Sequence, residues 1–151
     1  MTLQTCTPMQ TVPGTEGRTF TIRPGHIDAV AVELFTEGQC HALARALADA
    51  TGWPMAVVAR QDCGFATEAC YEEEDIAPDL CECQLRHVVA VSPSGQYVDI
   101  TGVYVPDPLE NYLIVPMSDR IWRHVTTSPF WRAPALQVAR TFVAPVLASV
   151  A

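Results

Sequence analysis

The sequence predicts an α+β domain in which a helix packs on an antiparallel sheet. A helical pattern of apolar residues ends at Gly52, and a β-hairpin pattern spans residues 87–101. The chain has 151 residues, of which 49% are hydrophobic and 17% are charged, as is typical of one packed domain. We therefore expect residues 1–151 to form a single domain.

The N-terminal third divides into an arm, an apolar segment and a helix. Residues 1–24 carry Thr, Pro and Gly without a periodic apolar pattern, which predicts an irregular arm. The apolar segment 27–35 is compatible with a helix or a strand. Thr36 and Gln39 fit a capping box, so we predict a helix over Glu37–Thr51.

A buried strand and an insertion follow this helix. Residues 55–59 are apolar and partly β-branched, which favours a strand. Residues 61–86 contain eight of the 17 acidic residues and four of the six cysteines. We interpret them as a Cys-rich acidic insertion that holds a short helix near residues 67–76, a metal, or a mobile lid.

The segment after the insertion is a β-hairpin. Pro93 and Gly95 suit a three-residue loop that pairs Ser92 with Gln96. The resulting register makes Val91 face Tyr97, Val89 face Asp99 and His87 face Thr101. His87 and Asp99 are then diagonal neighbours on one face of the sheet, within side-chain reach.

The C-terminal third contains a further strand and a helix. Residues 112–115 form an apolar strand candidate. An apolar helix is predicted over residues 133–151, with Ser128 as an alternative start. Pro145 is expected to bend this helix or to separate its final turn.

Charge and hydropathy exclude several classes of function. The net charge is −8 and no segment concentrates arginine, so we expect no nucleic-acid partner. The longest apolar tail, residues 142–151, is far shorter than the ~20 residues that cross a bilayer. The first six residues show no secretory signal, which predicts a cytoplasmic protein with reduced cysteines. Oligomeric state is left open by the sequence.

Cys40, His87 and Asp99 are the candidate catalytic residues. Cys40 lies near a helix start, where unpaired N–H groups and the helix dipole favour a thiolate. His87 is suited to exchange protons with the thiol and a leaving group, and Asp99 to orient the imidazole. The backbone N–H of Cys40 is the expected oxyanion donor, since capping already accounts for Gln39.

Three other histidines are weaker candidates for the base. His41 is adjacent to Cys40, and neighbouring residues on a helix do not face each other. His124 is the reserve candidate, followed by His26.

This arrangement resembles the papain-like thiol enzymes, especially the transglutaminase-like and arylamine-acetyltransferase-like branch. The resemblance covers residues 36–102 and rests on Gly38-Gln39-Cys40, then His87, then Val98-Asp99-Ile100-Thr101. It implies a papain-like core with Cys40 as nucleophile, His87 as acid and base, and Asp99 as orienting residue. No aromatic residue follows His87, so the amine-transfer branch is not established, and the second nucleophile, water or an amine, leaves no motif that would separate hydrolysis from transfer.

The leading hypothesis is therefore a thiol-dependent hydrolase, deamidase or acyltransferase that acts on a protein or peptide through a Cys40 thioester. This chemistry requires no cofactor. The alternative is a non-catalytic acidic protein, such as an inhibitor, that binds a basic partner. The cysteines of the insertion are weak candidates for a structural zinc site, because they lack paired C-x2-C spacing; they are Cys63, Cys70, Cys81 and Cys83.

Overall fold

The computed structural model describes residues 8–61, 80–128 and 131–151. The strands are β1 (Gln10–Pro13), β2 (Thr19–Ile22), β3 (Met55–Arg60), β4 (Leu85–Val91), β5 (Tyr97–Asp99), β6 (Gly102–Tyr104) and β7 (Tyr112–Pro116). The helices are α1 (Ala29–Thr36), α2 (Cys40–Thr51), α3 (Asp119–Thr127), α4 (Leu136–Arg140) and α5 (Val143–Val150). Short 3-10 turns lie at Thr15–Gly17 and Glu82–Gln84.

The chain folds as α+β, with helices packed on a five-stranded antiparallel sheet of order β6-β5-β4-β3-β7. One face of α2 contributes Leu43 and Leu47 to a core shared with α1, α4 and α5. The same core includes Ala90 of β4 and Val98 of β5. Helix α2 thus packs on the antiparallel sheet, as the sequence predicts.

The N-terminal arm is more regular than predicted. Strands β1 and β2 form an antiparallel pair over residues 10–22. Phe20 and Ile22 alternate with exposed threonines, so the strand buries one face against the core. The prediction of an irregular arm is wrong here, because a four-residue strand offers only two apolar positions from which to read a period.

The junction between α1 and α2 corrects the predicted capping box. The segment left open by the sequence is helical, and α1 extends to Thr36, whose hydroxyl donates to the Val32 carbonyl at 2.8 Å. Gly38 has a φ of 135° and turns the chain, so α2 begins at Cys40 rather than at Glu37. The predicted stop is confirmed, since Gly52 adopts a left-handed conformation.

The central hairpin follows the predicted register as far as Val98, which pairs with Ala90. Val91 pairs with Tyr97, and the Ser92 N–H donates to the Gln96 carbonyl at 2.8 Å. Strand β5 ends at Asp99, and the chain then turns into β6. Thr101 therefore lies in this turn and does not face His87, which corrects the prediction.

The C-terminal region differs from the predicted single helix. Helices α4 and α5 are separated at Thr141 and Phe142, and Pro145 lies in the first turn of α5. Proline is tolerated in a first turn, so it neither bends a helix nor separates its end. Helix α3 is absent from the prediction, although Ser118 caps it by accepting a hydrogen bond from the Ile121 N–H at 3.1 Å.

The predicted strands at 55–59 and 112–115 are confirmed as β3 and β7. Most of the predicted insertion, including its expected helix at 67–76, lies outside the described residues. Among the described residues, no helix is long and apolar enough to cross a membrane.

Candidate active site

Cys40 is the first residue of α2 and lies under the surface. Its side chain belongs to a cluster of buried apolar residues that includes Ala44 of the same helix, Val57 and Val88 of the sheet, and Ile121 of α3. Only 4% of Cys40 is exposed. The first N–H groups of a helix have no acceptor within it, so the sulfur lies at the positive end of α2.

His87 and Asp99 are joined by a buried hydrogen bond. The Nε2 atom of His87 donates to Oδ2 of Asp99 at 2.8 Å. The other carboxylate oxygen accepts from the backbone N–H of Thr101 at 2.8 Å and from its hydroxyl at 2.5 Å. Three donors therefore fix the carboxylate, and the ring of Tyr104 packs on the imidazole with 4.9 Å between centroids.

The His87 imidazole also interacts with the Cys40 thiol. A hydrogen bond to His87 is among the effects that lower the pKa of the thiol, and the same contact raises the pKa of the imidazole. Because Nε2 of His87 is hydrogen-bonded to Asp99, Nδ1 is the ring nitrogen that remains to interact with the Cys40 sulfur. The structure thus brings together the three residues predicted from the sequence.

Electrostatics at the site favour a thiolate beside an imidazolium. Burial raises the pKa of Cys40, but the neighbouring His41 and His87 outweigh it and lower that pKa from 9.0 to about 6. Burial lowers the pKa of His87, while hydrogen bonds to Asp99 and Cys40 raise it from 6.5 to about 10. Burial also raises the pKa of Asp99, but His87 and Thr101 hold it below its ordinary value.

Gln39 and His41, which flank Cys40, both contact backbone groups of a segment from the far end of the chain. We call residues 131–135 the strap. Gln39 donates to the carbonyls of Pro13 (2.9 Å) and Ala133 (3.2 Å) and accepts from the Ala135 N–H (2.9 Å). The Gln39 amide is therefore occupied by backbone groups, and its side chain makes no helix-capping hydrogen bond.

The other histidines considered from the sequence lie in different surroundings. The Nε2 atom of His124 lies 3.2 Å from the carboxylate of Glu82, and His26 is exposed. Neither is among the groups that shift the pKa of Cys40. His41 differs from both. Neighbouring residues on a helix are not expected to face each other, but His41 lies close enough to Cys40 to lower the pKa of the thiol.

The cysteines of the insertion are described only in part. The half-buried thiols of Cys81 and Cys83 lie 3.0 Å apart, whereas Cys63 and Cys70 fall outside the described residues. Within residues 8–61, 80–128 and 131–151, no group of three or more His, Cys, Asp or Glu side chains is placed to hold a metal ion.

A pocket of about 350 Å³ opens beside the C-terminal half of α2. Its walls include Met55, Met117 and Trp122, which also pack against the apolar cluster around Cys40. The guanidinium of Arg45 lies 5.2 Å from the centre of the Trp122 ring. The pocket and the apolar cluster that contains Cys40 thus share three side chains.

Sequence reasoning missed Thr101 and Tyr104 as supports of the dyad formed by His87 and Asp99. An available signal for Thr101 was its position two residues after Asp99, where an Asx turn places an N–H against the carboxylate. No local pattern indicates Tyr104, because its contact with His87 depends on the pairing of β6 with β5.

No protein-family model, curated protein or solved structure gives a significant match to this chain.

Proposed function

We propose that the protein is a thiol-dependent acyl-transfer enzyme of the papain-like type, with Cys40 as nucleophile, His87 as general acid and base, and Asp99 as orienting residue. The observation that carries this proposal is the buried bond between His87 and Asp99, made by an imidazole that also contacts a thiol at a helix start. The chain order Cys, His, Asp and the elements that carry these residues support the papain-like assignment.

The reaction begins with a thiolate and an imidazolium. The Cys40 sulfur attacks the acyl carbon, a C–S bond forms, and the carbonyl electron pair moves onto oxygen. Backbone N–H groups at the start of α2 stabilise this oxyanion. His87 then donates its Nδ1 proton to the leaving amine or alcohol as that bond breaks, which leaves a thioester and a neutral imidazole.

The second half of the reaction restores the enzyme. Water or an amine attacks the thioester while Nδ1 of His87 accepts its proton, and the thiolate departs. Throughout, Asp99 keeps the other imidazole proton on Nε2 and stabilises the charged ring. A protein or peptide is the proposed substrate.

Access to the thiol requires movement of its neighbours, because only 4% of Cys40 is exposed. Met55, Met117 and Trp122 border both the pocket and the thiol's cluster, and the two methionines have flexible side chains. We propose that substrate approaches along this border.

The proposal is tested by trapping the thioester. The protein is incubated with p-nitrophenyl acetate, and acetyl groups are located by peptide mass mapping. We expect rapid acetylation of Cys40, no adduct at that position in Cys40→Ser, and slow acetylation in His87→Ala. The exposed His26 supplies the control variant His26→Ala, which should match the wild type. Acetylation spread evenly over the cysteines, or unchanged in His87→Ala, would contradict the proposal.

The alternative of an acidic binding protein stays a prediction. Most of the acidic cluster that motivates it lies outside the described residues. The variant Cys40→Ser separates the two functions, because it abolishes catalysis and leaves an acidic binding surface intact.

A further inference from the structure

Cys81 and Cys83 are a pair of thiols that the proposed mechanism does not use. Their sulfur atoms lie 3.0 Å apart, and both residues are half-buried, so a small molecule in solution can reach them. The sulfur atoms of a disulfide are about 2.05 Å apart, so bond formation requires the two sulfurs to approach by only about 1 Å. A movement of this size is within the range of side-chain rotation.

The turn that carries the two thiols is fixed to the end of β3. The Cys81 N–H donates to Oε1 of Gln84 at 2.8 Å. The buried Gln84 amide in turn donates to the carbonyls of Arg60 at 2.9 Å and Gln61 at 3.0 Å. The Cys81 side chain also accepts the backbone N–H of Gln84. One side chain therefore holds both ends of the turn.

The residue between the two cysteines fixes the turn on its other side. One carboxylate oxygen of Glu82 accepts a hydrogen bond from the Ser128 hydroxyl, just after α3. The other oxygen lies 3.2 Å from Nε2 of His124, within α3. The turn is thus held between β3 and α3, which keeps the two thiols together. Reacting groups held in this way behave as if each were at a very high local concentration.

We propose that Cys81 and Cys83 form a dithiol site that exchanges with a low-molecular-weight disulfide, such as glutathione disulfide, and closes to a Cys81–Cys83 disulfide. The thiolate of one cysteine attacks a sulfur of glutathione disulfide, a protein–glutathione S–S bond forms, and one glutathione leaves as a thiolate. The thiolate of the other cysteine then attacks the protein sulfur and displaces the second glutathione. The two cysteines lose two electrons and two protons, and glutathione disulfide is reduced to two glutathione molecules.

The size of the ring makes this exchange reversible. A single residue separates the two cysteines, so the disulfide closes a short loop through the backbone. Strain in a disulfide makes the bond easier to reduce, and strained or exposed disulfides are typically the labile ones. We therefore expect excess reduced glutathione to reopen the site. This inference does not depend on the proposed function of Cys40.

The test maps every cysteine after incubation of the full chain with oxidised and reduced glutathione. Remaining thiols are blocked with N-ethylmaleimide after an acid quench, and the chain is cut with trypsin and a glutamate-specific protease. Arginine and glutamate residues separate all six cysteines, so each falls on a peptide of its own. Glu82 lies between the two thiols, and only a disulfide keeps peptides 75–82 and 83–86 joined.

The measured quantity is the ratio of the Cys81–Cys83 disulfide to the glutathione adducts on these two cysteines. This ratio reports ring closure and cancels differences in access to glutathione disulfide. We expect it to be at least about tenfold higher in the folded chain than in the urea-unfolded chain. Equal ratios in the two states would overturn the proposal, as would preferential pairing of either cysteine with Cys63 or Cys70.

Two reciprocal variants test the second exchange step. Each of Cys81→Ser and Cys83→Ser removes the thiol that displaces glutathione, so the adduct on the remaining cysteine should accumulate. Reduced glutathione should release that adduct and should also reopen the wild-type disulfide. A variant whose adduct disappears as fast as that of the wild type would show that another thiol resolves it, which would overturn the assignment.

Discussion

At the scale of single residues, the charge state of Cys40 results from opposing effects. Burial removes water from the sulfur and raises the pKa of the thiol, whereas two imidazoles stabilise the thiolate. The net result is a pKa of about 6 for Cys40 and about 10 for His87. Between these values, the thiolate and the imidazolium coexist.

Replacing Asp99 by Asn tests whether Asp99 stabilises the His87 imidazolium in this ion pair. The neutral amide no longer stabilises the imidazolium, so the pKa of His87 falls from about 10 and that of Cys40 rises. NMR titration of the His87 ring measures the first change. We expect a downward shift of at least about one pKa unit, equivalent to roughly 1.4 kcal/mol. The exposed Asp119 supplies the control variant Asp119→Asn, in which the pKa of His87 should not change. The same His87 pKa in both variants would contradict the role of Asp99.

At the scale of elements, the hairpin could be predicted and the start of α2 could not. The loop residues Pro93 and Gly95 determine the register locally, and that register is sufficient to place His87 beside Asp99. The start of α2 depends instead on contact with a distant turn. A Cβ at Gly38 would lie 2.7 Å from the backbone nitrogen of Thr15, and no local pattern reveals that approach.

This contact predicts the cost of substituting Gly38. In Gly38→Ala, the added carbon meets backbone atoms of Gly14 and Thr15, and the alanine must adopt a φ of 135°. We expect the free energy of unfolding in urea to fall by about 2 kcal/mol or more. Gly95 also has a positive φ, of 83°, but has open space around its Cβ position, so Gly95→Ala measures what a positive φ costs without a steric contact. Equal losses in the two variants would show that the contact at Gly38 contributes nothing.

At the scale of the whole molecule, the site is assembled from parts distant in sequence. The proximity of Cys40, His87 and Asp99 could be predicted, because each lies on an element with a recognisable local pattern. The anchoring of the strap by Gln39 and His41 could not, since these contacts join residues more than 90 positions apart. The depth of the sulfur could not be predicted either, because it depends on α3, which packs over Cys40 and has no counterpart in the sequence prediction.

Two pH profiles follow from this assembly. Alkylation of Cys40 needs only the thiolate, so its rate should fall below a pH of about 6 and stay high above it. In the proposed mechanism, acyl transfer from an amide also needs the His87 imidazolium, so its rate should fall again above a pH of about 10.

The most direct test of the central claim is the pH dependence of alkylation at each cysteine, resolved by peptide mass mapping, in the wild type and in His87→Ala. The account predicts a midpoint near pH 6 for Cys40, well below the ordinary value of 9.0, and a higher midpoint when His87 is removed. A Cys40 that titrates like an ordinary thiol in the wild type, or identically in both proteins, would contradict a thiolate–imidazolium pair.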